Sequence, residues 1–241
     1  MRSRGKTNDG RGMTMEMPTG AACYFDLVGY THRKLFADCL HVWEVLPKLP
    51  AYIESCLQPA LCGTVMEGAW VGPRVYLGAG STVEPGAMVK GPAIIGSGTV
   101  IRHGAYLREY CLIGDGCVVG HASEIKGSIM LDGSQAAHFN YVGDSVLGHG
   151  VNLGAGVKLS NFKNDGGIIQ VIVGEKKWST GLRKFGAIVG DRVALGCNCV
   201  TSPGSLIGRD SSVYANLVVR GYIPPRSIVK LRQVQEIAPR R

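Results

Sequence analysis

The chain has 241 residues, 45 % of them hydrophobic, with 26 Lys and Arg against 18 Asp and Glu for a formal net charge of +8. That is apolar enough for a sizeable core and too apolar for a disordered chain. The basic excess suits anionic ligands, but part of it is terminal (Arg2, Arg4, Lys6, Arg11, Arg232, Arg240, Arg241), so nucleic-acid binding is not expected. No run approaches the apolar length a membrane span needs, and the first residues lack a leader's apolar core; a cytoplasmic location is expected. The eight cysteines show no C-x-x-C spacing and read as reduced thiols.

Residues 1–19 are charged, Gly-rich and aperiodic, and read as a disordered N-terminal extension. Residues 20–60 read as a helical cap. Thr31 starts an amphipathic helix with apolar residues at Leu35, Phe36, Leu40, Trp43 and Leu46; Pro47 and Pro50 interrupt it, and a second short helix covers Ala51–Leu57. The unit is too small to stand alone and is expected to close the first coil of a repetitive domain that begins near residue 61.

From about 61 an aliphatic residue recurs at every sixth position: Val65, Val71, Leu77, Val83, Val89, Ile95, Ile101, Leu107, Ile113, Val119, Ile125 and Leu131. A small residue usually stands two positions before each rung, as at Ala87, Ala93, Thr99, Ala105, Cys111 and Cys117. A period of six fits neither an α-helix nor a hairpin sheet. It fits an all-β solenoid, a left-handed parallel β-helix of hexapeptide repeats spanning 61–229, in which three hexads make one triangular coil. The register fails near 132–141 and resumes at Tyr141, Leu147, Leu153 and Leu159. A second excursion, near 160–185, holds a turn at Asn164-Asp-Gly-Gly and a strand at Ile168–Val173. The ladder returns at Val189, Leu195, Thr201, Ile207, Val213 and Val219, and a basic tail occupies 230–241.

Residues one coil apart share a corner, at roughly the 4.8 Å spacing of paired strands. Lys90, Arg108 and Lys126 form such a column, leading toward an anion site between the last two. His103 and His121 form another, with no third ligand in register, so no metal is expected. His138 stands where the period fails, flanked by Ala136 and Ala137, small enough to let a ligand approach, and followed by Asn140, Tyr141 and Asp144. A neutral imidazole in that setting is suited to act as a general base.

The run Leu107-Arg108-Glu109, Glu124-Ile-Lys126, Gly133 to His138 and on to Tyr141, Asn152 and Asn161 resembles the acetyltransferase domain of bifunctional sugar-1-phosphate nucleotidyltransferases. The stretch Thr180–Asp191 is similar to their archaeal-type branch. The resemblance implies a hexapeptide-repeat N-acetyltransferase that moves an acetyl group from acetyl-CoA to an amino-sugar phosphate such as glucosamine 1-phosphate, feeding nucleotide-sugar synthesis. Carried over, His138 is the base, and Asn161 and the Phe162 N–H orient it and hold the oxyanion. Arg108, Lys126, Tyr141 and Asn152 bind the sugar phosphate, while Ala155, Cys197 and Ala215 line the coenzyme A site. A homotrimer with active sites between subunits is implied. Phe162 and Cys197 stand where the family has Tyr and Ser, and Gly167 where it has a Lys. The residues ahead of the ladder are too few for the family's nucleotidyltransferase domain, so that activity is not expected here and would belong to a separate partner. A binding or scaffold protein with the same fold and no turnover is the alternative.

Overall fold

The computed structural model describes residues 18–231 and 236–239. The expected extension over residues 1–17, and residues 232–235 and 240–241 of the expected tail, lie outside the described residues. Three parallel sheets of nine, nine and eight strands, here A, B and C, wind together into a parallel β-solenoid of about nine turns. Most strands are two or three residues long, and each pairs with the strand one coil away. The rungs stack inside: Leu77 faces Ile95 and Ile95 faces Ile113 in sheet A, while Val89 faces Leu107 and Leu107 faces Ile125 in sheet C. Nearly every rung is fully buried.

The ladder does not break at His138. It shortens twice. Ile113 faces Met130, not Leu131, and Ile125 faces Val142, not Tyr141. The step from Ile125 to Met130, and again from Val142 to Leu147, is five positions instead of six, because tight corners at Gly127 and Asp144, both at positive φ, each omit one residue. Leu131 consequently leaves the interior and joins a second apolar cluster outside the coil. Ala136, expected as a small neighbour opening space beside His138, is itself a buried rung.

The small residues beside the rungs stitch coils together as well as fitting the bends. Ser81 Oγ donates to Gly96 O at 2.6 Å and accepts the Thr99 N–H at 2.8 Å; Thr99 Oγ1 donates to Gly114 O and accepts the Cys117 N–H. Each hydroxyl thus satisfies a buried donor and a buried acceptor on neighbouring turns.

The N-terminal unit departs most from expectation. Short 3-10 turns at Arg33–Phe36 and Val42–Glu44 precede one helix, α1 (Val45–Cys56), which runs through Pro47 and Pro50. Pro47 lies in the first turn, where a missing N–H costs nothing. The unit does not close the solenoid's end, where Leu61, Met66 and Trp70 remain 56 %, 43 % and 47 % exposed. It lies along the outer face of sheet A. There Ile94, Leu112, Ile129, Val146, Ile188 and Leu206 form a second aliphatic row, one per coil, that needs cover. Phe25, Phe36, Trp43, Leu49 and Ile53 supply it. Asp191, fully buried, fastens the two parts: its carboxylate accepts the Asp26 N–H at 2.7 Å and the His149 N–H at 2.9 Å, and Arg209 stands 3.2 Å away.

The excursion leaves the coil after Leu159 and returns at Ala187. Within it Gln170–Val173 and Lys176–Ser179 form an antiparallel hairpin, and Ile169, Val171 and Phe185 are buried against the sheet A cluster.

Two outcomes test this core. Thr201 occupies a rung with its hydroxyl buried and unpaired among the described residues. Thr201→Val therefore removes an unsatisfied group and raises unfolding stability by about 1 kcal/mol, read by urea denaturation. Burial pushes the Cys111 thiol up to about 12. Alkylation of the native protein followed by mass spectrometry modifies the exposed Cys56, Cys62 and Cys197 while Cys111 stays unmodified until the chain unfolds.

Candidate functional site

The expected site residues fall on two adjoining corners of the solenoid. At the corner between sheets B and C, His121 pairs with His138, and the register carries that column through Ala155 and Cys197 to Ala215. Amide bonds mark each step: Gly156 N donates to His138 O at 3.0 Å, Asn198 N to Ala155 O at 2.8 Å, and Asn216 N to Cys197 O at 2.9 Å. One corner therefore runs from imidazoles on the early coils to small side chains on the late ones. The residue after each member is left-handed, including Ala122 and Phe139, so positive φ there is the geometry of the corner and not strain particular to a site.

His138 is thus the third histidine in register with His103 and His121, a match that a spacing of eighteen conceals because the coil between His121 and His138 has one residue fewer. The His103 and His121 rings stack at 5.4 Å with only 7° between planes. Their Nδ1 atoms lie 2.7 Å from Pro85 O and 3.0 Å from His103 O, so in the neutral ring Nδ1 carries the proton and Nε2 faces outward. Parallel rings do not converge on one ion. Among the described residues no group of three or more His, Cys, Asp or Glu could hold a metal. The His138 ring is exposed and makes no hydrogen bond within the described residues. Its backbone is held: the His138 N–H donates to Asn140 Oδ1 at 3.1 Å, and buried Asn140 in turn bonds Gly154 O at 2.8 Å and Ser123 Oγ at 3.1 Å.

The corner between sheets C and A carries the cations. Lys90, Arg108 and Lys126 stack as expected, and each meets a carboxylate. Lys90 lies 2.6 Å from Glu109, Arg108 3.2 Å from Glu124 and 3.8 Å from Glu109, and Lys126 2.9 Å from both oxygens of Asp144. The hydrogen bond from Lys90, with the Arg108 charge beside it, holds the Glu109 carboxyl below the usual range. Three cations against three carboxylates balance along this column, although Arg108 Nε is buried without a hydrogen-bond partner among the described residues.

Asn161 joins the same group. Its Nδ2 donates to Asp144 Oδ2 and its Oδ1 accepts from the Tyr141 hydroxyl at 3.4 Å. Both side chains lie over Gly143, where an added Cβ would stand 2.6 Å from the Tyr141 oxygen and 2.7 Å from the Asn161 amide. Burial, then the charges of Glu124 and Asp144, raise the Tyr141 phenol. A cavity of about 370 Å³ opens beside Lys126 and Asp144 and is walled by Leu46, Pro50 and Lys184, so the N-terminal unit reaches the site.

The structure therefore brings Arg108, Lys126, Tyr141 and Asn161 together, and separately His138, Ala155, Cys197 and Ala215. Asn152 lies exposed on sheet B, opposite Gln135 and Ala194, on the far side of the histidine corner from Tyr141. Phe162 is 44 % exposed and bridges to Lys184 in the excursion, away from the histidine column. Asn140 and Asp144 are expected only as polar neighbours of His138 and Glu124 only as part of the resembling run; the ion pairs of Glu124 and Asp144, the Asn140 brace and the walls from α1 are not foreseen in the sequence. Asp144 carries a local signal, a short corner after Gly143; the α1 wall carries none.

Residues 89–178 match the family described as the GMPPB C-terminal domain. The bifunctional sugar-1-phosphate nucleotidylyltransferase/acetyltransferase of Sulfurisphaera tokodaii is 41 % identical over 96 residues, covering 40 % of this chain and 24 % of that protein. The bifunctional protein GlmU of Methanococcus aeolicus is 37 % identical over 108 residues, covering 45 % of this chain and 26 % of that protein. The chain thus spans about a quarter of the length of these relatives. Among solved structures, the UDP-N-acetylglucosamine acyltransferase from Campylobacter jejuni overlaps with a TM-score of 0.39 at 15 % identity, over 66 % of this chain and 69 % of that one.

Replacing Asn140 tests how the histidine corner is held. Asn140→Ala removes the acceptor of the His138 N–H and the shorter of the two bonds to Gly154 O, which keeps only the Val157 N–H at 3.3 Å, and lowers unfolding stability by about 2 kcal/mol, seen as an earlier urea midpoint with an unchanged slope.

Proposed function

We propose that the chain is an acyltransferase that moves an acetyl group from acetyl-CoA to the amine of an amino-sugar phosphate, with His138 as general base. The observation that carries this reading is the single corner on which His138, Ala155, Cys197 and Ala215 stack. A base at one end of a strip of small side chains suits a reaction between a compact acceptor and a long, thin thioester arm. The segment matched by the GMPPB C-terminal domain also contains Arg108, Lys126, His138, Tyr141, Asn152 and Asn161.

In the proposed reaction the sugar amine attacks the thioester carbonyl carbon while His138 takes the amine proton. The tetrahedral oxyanion is met by a backbone N–H, for which Phe162 is the proposed donor, and the C–S bond then breaks. The thiolate leaves with the proton returned by the imidazolium. Within one chain Asn161 is turned toward Asp144 and Tyr141, and Phe162 toward Lys184. We therefore place each active site between two copies of a homotrimer, with His138 from one and the Asn161–Phe162 segment from its neighbour. Sheets B and C, not overlaid by the N-terminal unit, are the faces proposed for that packing.

A binding protein without turnover is the second reading, favoured by the pairing of Lys90, Arg108 and Lys126 with carboxylates. Incubation with acetyl-CoA and glucosamine 1-phosphate, followed by free thiol release and mass of the sugar product, separates the two. Acetyl transfer that falls about 100-fold or more in His138→Ala is expected, the scale of general-base catalysis. Sugar-phosphate binding with no thiol release in the wild-type protein supports the second reading, and full activity in the variant removes His138 from the chemistry.

A further inference from the structure

The C–A corner continues beyond Lys126. Its register runs from Lys126 to Gly143, then Ser160, Ser202 and finally Arg220. Four strand steps separate the two cations, about 19 Å at the usual spacing. Between them stand only a glycine and two serines, so the corner is a trough where elsewhere it is a ridge. The excursion overhangs its far end. A cavity of about 540 Å³ results, lined by Ser160, Phe162, Asn164, Gln170, Ser202 and Arg220 among others.

We propose that this cavity is a binding site for a phosphate-bearing small molecule, anchored by Arg220. Three observations converge. Arg220 differs from the other cations of its column: Lys90, Arg108 and Lys126 are paired with carboxylates, whereas Arg220 has no acidic or hydrogen-bonding partner among the described residues. The side chains of Ser160, Asn164, Gln170 and Ser202 likewise make no hydrogen bonds within the described residues, so several donors face one space with nothing of the chain's own to bind. The carboxylate on the rim, Asp165, is already engaged, 3.0 Å from Lys163 and accepting the Gly167 N–H at 2.9 Å. A guanidinium with hydroxyl and amide donors beside it matches the oxygens of a phosphate, and its planar fork binds two of them at once. The volume lies in the range of small-molecule sites and exceeds what a bare phosphate fills, and the half-exposed Phe162 ring offers an apolar wall for the remainder.

The phosphate could belong to a sugar phosphate or to coenzyme A, and the shared chemistry is what the site recognises. Calorimetric titration of the intact protein with glucosamine 1-phosphate, with coenzyme A and with inorganic pyrophosphate, alongside glucosamine and pantetheine as phosphate-free controls, tests it. At least one phosphorylated probe is expected to bind where its control does not. Arg220→Ala is expected to weaken that binding fivefold or more, with Arg220→Lys in between; the probe affected identifies the source. Arg220 is exposed, so circular dichroism should show both variants folded like the wild type. The proposal fails if no phosphorylated probe binds the wild-type protein, or if Arg220→Ala changes the affinity less than fivefold. Binding is read without turnover, so a failure of acetyl transfer leaves this result standing and the reverse also holds.

Discussion

Parallel pairing of each strand with the one a coil away is the constraint on which everything else in this molecule depends. Because the backbone bonds repeat at every turn, a side chain at one corner is stacked on its counterparts above and below. Chemistry in such a fold is written in columns. One column passes from imidazoles to small side chains; another passes from paired cations through glycine and serine to an arginine without a partner among the described residues. A change of one residue in coil length moves every later member of every column, which is why the two short corners at Gly127 and Asp144 matter as much as any functional side chain. The first brings His138 beneath His121 and sets Val142 inside, leaving Tyr141 free to face Asn161, and the second brings Leu147 beneath Met130.

The second dependence is cover. A solenoid with one aliphatic row inside is self-sufficient, but sheet A carries a row on its outer face too. That surface is unfavourable in water, at roughly 25 cal/mol per Å² of apolar area, and the N-terminal unit and the excursion both fold onto it. Their placement has a functional consequence. With sheet A occupied, α1 forms a wall of the cavity beside Lys126 and Asp144, and the hairpin roofs the cavity beside Arg220. The same burial that stabilises the flank shapes both sites.

Much of this architecture is legible in the sequence. The interior rungs from Val65 to Ile125, the stacking of Lys90, Arg108 and Lys126, and the excursion with a strand of its own all derive from a period of six and from turn residues. The outer row is legible as well, in the strings Ala93-Ile-Ile and Cys111-Leu-Ile, where the middle residue is apolar in every third hexad. The period of six alone does not reveal it, and so the N-terminal unit is expected at the solenoid's end. The Thr31 helix fails for a related reason. Its spacing is helical, yet Leu40 is 77 % exposed and the segment splits into short turns, because a small unit packs its aromatic residues on a sheet before it satisfies its own periodicity.

The sequence by itself determined the repeat, since a side chain every sixth position can be buried continuously only by a coil of that pitch. It also determined that a histidine and several cations lie on corners. Only the tertiary structure decided which corner each one joins, because register accumulates along the chain and a single omitted residue redirects all later ones. Only the tertiary structure decided which cations are neutralised, because Glu109, Glu124 and Asp144 reach Lys90, Arg108 and Lys126 across coils and not along the sequence. Charge is a property of composition; whether it is free to bind is a property of packing.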